Sequence, residues 1–312
     1  MGAFIVSLDC EGKWGMADHL EPYLQRALTD SALAAVYDRF VALFGRYDIP
    51  ATFAYVMAFT LGEKERRAFP ALVDPAAAEG DAWLAHYWAD VRAGRSEGWF
   101  QPHALEAVRA DGRHEIACHG FCHRPLGDSS IAEAGAEAEL GDALAAARMK
   151  GVTLRTFIFP RNEIGNLAAL GRSGFIGFRE KLGRPSGAAG RLVRLAEEFN
   201  PWPAPQHGSR GRAHGLVPIP AGYFFNWRFG ARRRVPPALT VRRWTNLLDA
   251  VAGKGGVAHL WLHPHNLITA PDTEATLAPV LAHAAKLRDV GRIEVMTQEA
   301  WCLAQRASAD AS

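Results

Sequence analysis

The segment His114-Glu115-Ile116-Ala117-Cys118-His119-Gly120-Phe121-Cys122-His123 reads as a short apolar strand that delivers two imidazoles, four residues apart, at its carboxyl end. Pro125 limits any helix there to a turn. The amino terminus repeats the arrangement with acids: Phe4-Ile5-Val6-Ser7-Leu8-Asp9-Cys10-Glu11 is an apolar run ending in two carboxylates. Side chains alternate faces along a strand, so Asp9 and Glu11 point one way and Cys10 the other. Two carboxylates from one strand end and two imidazoles from another make a mixed nitrogen/oxygen metal site with a spare carboxylate. Metal-assisted hydrolysis needs that set: about three protein ligands, an open water position and a base. The plainer readings are a carboxylate capping the loop at Gly12 and two polar loop histidines. Capping uses one carboxylate, whereas both lie on one face here.

Outward from these two runs, apolar stretches alternate with amphipathic ones. Strands are expected at residues 4–8, 51–57, 114–118, 156–159, 174–178, 216–219, 257–262 and 293–296. Helices are expected at 31–47, 131–150, 164–171, 241–252, 273–290 and 298–306. That alternation predicts an α/β fold of parallel strands joined by crossover helices, a distorted (β/α) barrel of about seven strands. In a barrel the functional groups gather at the carboxyl ends of strands, and Asp9, Glu11, His119, Arg161 and His263 all fall there. A single domain spans 1–306, and residues 307–312 read as a disordered tail. Residues 60–113 are too long for one crossover and predict a helical excursion over the barrel mouth, whose Trp and Tyr side chains would stack on a ligand. Residues 183–236, rich in Gly, Pro and Arg, read as long loops.

Composition narrows the class. A net charge of +2 lacks the basic bias of a nucleic-acid binder. Four cysteines without a CxxC pair do not form a disulfide framework and suit a reducing compartment. No apolar run approaches the ~20 residues of a transmembrane helix, and no leader pattern precedes Asp9. The expectation is a cytoplasmic protein. Cys10, Cys118 and Cys122 read as small buried hydrophobes rather than thiolate ligands. Phosphate-loop, dinucleotide and nucleophile-elbow motifs are absent.

Three other clusters carry chemistry. In His259-Leu260-Trp261-Leu262-His263-Pro264-His265-Asn266, His263 ends a strongly apolar strand, where it either donates a proton to a leaving amine or bonds loop backbone. His265 and Asn266 are candidate substrate contacts, and His259 lies deeper as a wall histidine. In Phe157-Ile158-Phe159-Pro160-Arg161-Asn162, Arg161 either holds Asp9 ionised or caps carbonyls, with Asn162 a further substrate contact. The arginine-rich stretch 228–243 either grips a phosphate or is a solvated face.

These motifs, in this order, resemble the polysaccharide deacetylases of the NodB-homology type, the fourth carbohydrate esterase family. The family pattern has an acidic pair after strand one, H-E-I-x-x-H-x-x-x-H, an Arg/Pro loop and a late L-x-H. Here they correspond to Asp9/Glu11, His114 to His123, Phe159-Pro160-Arg161-Asn162 and Leu260-Trp261-Leu262-His263, across roughly residues 4–300. The chain departs from the family in carrying Asp9-Cys10-Glu11-Gly12 for D-D-G and in its Arg loop. The resemblance implies a distorted (β/α) barrel of about seven strands. It also implies Asp9 as general base, Glu11, His119 and His123 on one divalent ion, commonly zinc, Arg161 orienting Asp9, and His263 as general acid. Trp202 is the candidate for the family's Asp/Trp segment. The Phe-Pro-Arg-Asn and His-Pro-His-Asn wording is similar to members found among genes for bacterial surface polysaccharides, such as O-antigen.

The expected activity is therefore removal of an N-acyl group, N-acetyl first, from an amino sugar that is a precursor or unit of a bacterial surface polysaccharide, with a nucleotide- or lipid-linked precursor favoured over mature polymer. Alternatives are a metal-dependent amidase on a non-sugar amide and a non-catalytic sugar-binding protein on the same scaffold.

Overall fold

The computed structural model describes residues 2–310 except 79, 184–186 and 210. Its sheet has nine strands: β1 (Gly2–Cys10), β2 (Thr52–Tyr55), β3 (Glu115–Cys118), β4 (Thr156–Phe157), β5 (Gly177–Arg179), β6 (Val217–Ile219), β7 (Tyr223–Phe224), β8 (Val257–Leu262) and β9 (Ile293–Met296). The order is β6-β5-β4-β3-β2-β1-β8-β7, and every pairing between these strands is parallel. Strand β1 is long enough to share one edge: residues 2–5 pair with β9 and residues 7–10 with β2. Parallel neighbours need crossovers, supplied largely by helices such as Asp30–Tyr47, Glu133–Met149, Pro237–Lys254 and Asp272–Asp289.

Closure depends on one extended passage. Strand β6 pairs with β5, and three residues later β7 pairs with β8, so the two sheet edges are joined by chain rather than by a ladder. Gly222 makes the close approach possible. Its φ is +74°, and a Cβ there would lie 2.7 Å from the carbonyl oxygen of His259. The result is the expected distorted (β/α) barrel, with nine strands rather than about seven. All eight strand candidates fall on observed strands, and the two-residue β7 is the addition.

Strand parity explains where polar groups sit. On β1 the even residues Phe4, Val6, Leu8 and Cys10 enter the main apolar core beneath the helices. The odd residues face the barrel interior, where Ala3 and Ile5 meet Ile176, Val217, Ile219 and Val257 at the floor. Ala54, Ala117 and Ile158 form a further small layer. Above these lie Ser7, Asp9 and Glu11 in chain order along the same face. Barrel depth therefore grades from apolar to ionisable along one strand.

The segment 60–113 is helical, including Ala85–Arg92 and Pro102–Asp111, and most of its aromatics are packed inside; half-buried Trp83 stays near the cleft, 6.2 Å from the His123 ring, and donates its indole N–H to the Cys122 carbonyl at 2.8 Å. Tyr87, Trp88 and Trp99 are buried. Trp14 packs on Tyr87 and Trp99 at 5.1 and 5.0 Å between ring centroids and donates its indole N–H to the Trp99 carbonyl at 2.6 Å. Lys13 lies 3.7 Å from buried Asp90, which also accepts from the Trp99 indole at 3.0 Å. The excursion thus anchors the turn that follows Glu11. Residues 183–236 are not loops throughout: helix Gly187–Glu198 and strands β6 and β7 lie among them. The final helix, Gln298–Asp310, runs through the start of the expected tail, and residues 311 and 312 lie outside the described residues. Among the described residues no helix is long and apolar enough to cross a membrane.

Candidate active site

Glu11, His119 and His123 converge. The Nε2 atoms of the two histidines are 3.1 Å apart, and Glu11 Oε2 lies 3.4 Å from His119 and 3.1 Å from His123. Ligands about 2.0–2.1 Å from a tetrahedral ion stand roughly 3.3 Å from one another. His119 Nδ1–H donates to the Ile158 carbonyl at 2.8 Å, which leaves the Nε2 lone pair aimed at Glu11 and His123. His123 Nδ1 is buried without a hydrogen-bond partner. Burial pushes the His123 ring down to about 4, so it is neutral and able to ligate. Burial opposes ionisation of Glu11, but the imidazoles of His263, His123 and His119 outweigh it and hold the carboxyl well below its ordinary range. An electron-rich corner of two imidazoles and a carboxylate fits a divalent ion of the zinc type.

The turn that presents His123 has its own support. His123 adopts φ +62°, an unusual value outside glycine. Glu139, on the helix Glu133–Met149, accepts from the backbone N–H groups of Phe121, Cys122 and Arg124 at 2.8, 2.7 and 3.3 Å. The first part of the histidine motif does different work. His114 is a buried acceptor for the Ala51 N–H, and Glu115 accepts from Thr52 and from the backbone N–H of Glu299.

Asp9 is gripped from both sides by Arg179, at 2.8 Å from Nη1 to Oδ1 and 2.8 Å from Nη2 to Oδ2. Burial would raise the Asp9 carboxyl, but Arg179, with His119 and His263 nearby, holds it below its ordinary value. Arg179 is fixed in turn. Its Nη1 donates to Ser7 Oγ at 3.3 Å, Ser7 lies 2.9 Å from His259 Nε2, and His259 Nδ1 bonds the Pro220 carbonyl at 2.6 Å. His259 is the deep wall histidine expected, pushed by burial down to about 3. Asn162 Oδ1 accepts from Arg179 Nη2 at 3.4 Å.

Arg161 was the arginine expected on Asp9, and the structure places it elsewhere. It pairs with Asp18 and lies 5.8 Å above the Trp83 ring, on the cleft wall. Arg161 sits at φ +57° in the turn after β4 and turns to Asp18, whereas Arg179 closes β5 and reaches Asp9. Trp202 lies outside the cleft, 67% exposed beneath Arg242. Within residues 228–243, Arg228 bonds the Val235 carbonyl, Arg232 pairs with Glu198, and Arg243 bonds the carbonyls of Glu197 and Asn200, so these three guanidiniums are engaged by separate protein partners.

Across from Asp9, His263 Nε2 lies 3.5 Å from Glu11 Oε1. Its backbone N–H donates to Asn266 Oδ1 at 3.2 Å, which sets the strand exit. Asp9, Glu11, His119, His123, Arg161, Asn162, His263, His265 and Asn266 all line one cleft of about 500 Å³. Sequence reasoning missed Arg179 and Glu139. Arg179 carried a signal, since a charged residue directly follows the apolar strand candidate 174–178.

Gly15 gives a local test. A Cβ there would overlap the Glu11 carboxylate. Gly15→Ala is expected to displace that carboxylate and weaken metal retention by about 10- to 100-fold, with the thermal transition little moved; equilibrium dialysis with elemental analysis measures it.

No protein-family pattern matches the chain, and no curated protein matches it in sequence. Solved structures do match. One described as a polysaccharide deacetylase from Mycobacterium smegmatis superposes with a TM-score of 0.64 at 16% identity, covering 98% of this chain and 91% of that one. The chain shares the polysaccharide-deacetylase fold. A structure described as a polysaccharide deacetylase from Pseudomonas aeruginosa PAO1 gives 0.58 at 14% identity, with 96% and 89% covered. A Puue allantoinase gives 0.57 at 14% identity, with 98% and 90% covered.

Proposed function

We propose that the protein is a metal-dependent hydrolase that removes an N-acyl group, N-acetyl in the first instance, from an amino sugar of a bacterial surface polysaccharide or its precursor. The observation that carries this reading is the meeting of Glu11, His119 and His123 beside an Asp9 held ionised by Arg179. Two imidazoles and one carboxylate are a ligand set of hydrolytic zinc sites. Bound there, such an ion polarises the amide carbonyl and makes a water acidic enough to lose its proton near neutral pH.

The chain's own groups supply the rest. Asp9 takes the proton from the attacking water. Its pairing with Arg179 keeps it ionised but makes it a weak base, so it suits only an already acidified water. His263, on the opposite wall, protonates the leaving nitrogen, which leaves free amine and acetate. Tyr23 and Trp227 line the cleft, each stacked on Phe229 at 4.9 and 4.8 Å. Such flat faces suit the apolar side of a pyranose ring. The likeness to an allantoinase favours a second reading, hydrolysis of an amide outside the sugars.

Elemental analysis of wild type beside His119→Ala/His123→Ala tests the metal centre. About one tightly held equivalent of zinc, absent from the variant, is expected. Release of acetate from acetamido sugars, screened against cyclic amides, separates the two substrates. A wild-type protein that retains no divalent ion after reconstitution overturns the reading.

A further inference from the structure

Glu11 is a ligand with two ends. Its Oε2 faces His119 and His123, while its Oε1 faces His263 Nε2 at 3.5 Å. His265 completes a second group there: one ligand atom each from Glu11, His263 and His265 lies within 4.8 Å of the others. The rings of His263 and His265 stack at 5.0 Å and 22°, so the two imidazoles stand side by side after β8. His265 is only 6% exposed, lines the cleft, and its Nδ1 has no hydrogen-bond partner. A buried ring nitrogen left without a partner in a polar cleft calls for a ligand.

We infer that Glu11, His263 and His265 form a second divalent-cation site, joined to the first by the Glu11 carboxylate as a bridge. One carboxylate oxygen for each ion is the arrangement of two-metal centres, whose ions lie about 3.5–4 Å apart. Two imidazoles select a borderline ion such as zinc or cobalt over magnesium or calcium, which take oxygen ligands. The second site has the more exposed histidine, with the His263 side chain 22% accessible against 2% for His119, so it fills after the first. Resting on the hydrolysis proposed above, a cation on His263 also occupies the nitrogen that must carry the proton. The second equivalent therefore inhibits.

The test is equilibrium dialysis of the full chain against zinc, with bound metal measured by elemental analysis. Wild type is expected to take up two equivalents in two steps. His263→Ala and His265→Gln each keep the tight equivalent and weaken the second by about 10-fold or more. Two different variants guard against a folding failure in either, which circular dichroism would show. Glu11→Gln weakens both steps, and His119→Ala/His123→Ala removes the tight one. Wild type that saturates at one equivalent overturns the second site, as does a second equivalent indifferent to both His263→Ala and His265→Gln. Loss of only one step in Glu11→Gln overturns the bridge. A double variant that keeps the tight step overturns the first site alone, so the two failures are distinguishable. Turnover that rises as the second step fills overturns the inhibitory role.

Discussion

Asp9→Asn is expected to keep the divalent ion and to lose turnover by about 10²- to 10⁴-fold, the span that a positioned general base supplies. The ion is expected to be spared because the proposed ligands are Glu11, His119 and His123, and the two oxygens of Asp9 are already taken up by Arg179. Asparagine is close in shape and can still accept from the guanidinium, so the cleft keeps its form. What disappears is a site that can receive a proton. The measurement is elemental analysis beside initial rates of acetate release on the same preparation. An Asp9→Asn protein with wild-type turnover removes the base assignment, and one that has lost its metal places Asp9 among the ligands.

Arg179→Met is expected to cost about 3–5 kcal/mol of stability at neutral pH, because it leaves Asp9 as an uncompensated buried charge. The pH dependence gives this effect a distinct sign. In the wild type the folded Asp9 carboxyl is held below its unfolded value of 3.8. It therefore contributes stability that is present above that pH and lost as pH falls through the folded value. Without Arg179, burial is the dominant influence and the folded value rises above the unfolded one. The penalty then grows as pH rises from about 4 and is absent below it. Urea unfolding of both proteins should show the stability gap narrowing on acidification from neutral pH. Adding Asp9→Asn to Arg179→Met should restore part of the loss, because the unpaired charge is gone. A gap that is independent of pH would assign the cost to packing against Trp261, over which the guanidinium sits at 4.5 Å. Lysine is not an equivalent replacement, since its single ammonium cannot bridge both carboxylate oxygens.

Several features were legible because they are local. Short apolar runs and their spacing mark eight strand candidates, and each lies on an observed strand. Cys10 faces the core and Asp9 the cleft because neighbours on a strand point to opposite faces. Strand β7 was not legible: two residues, Tyr223 and Phe224, carry no periodicity, and they pair only because Gly222 lets the chain cross beside His259. The helix Gly187–Glu198 lies among Gly, Pro and Arg residues that read as loop. The aromatics of the excursion look like a binding face in composition, yet Trp99 and Tyr87 are consumed by packing on Trp14.

Which side chains stand at strand ends, and on which face, could be read along the chain for Asp9, Glu11, His119 and His263. Those properties follow from backbone alternation and the carboxyl-end rule of parallel barrels, and both act within one strand. Which of them meet is a property of the folded barrel. Arg161 and Arg179 both lie at strand ends, yet Arg179 reaches Asp9 because β5 brings it to the inward face and Ser7 and His259 brace it. Contact across a barrel depends on strand order, register and closure, which are set by the burial of the whole core and not by the residues flanking either partner.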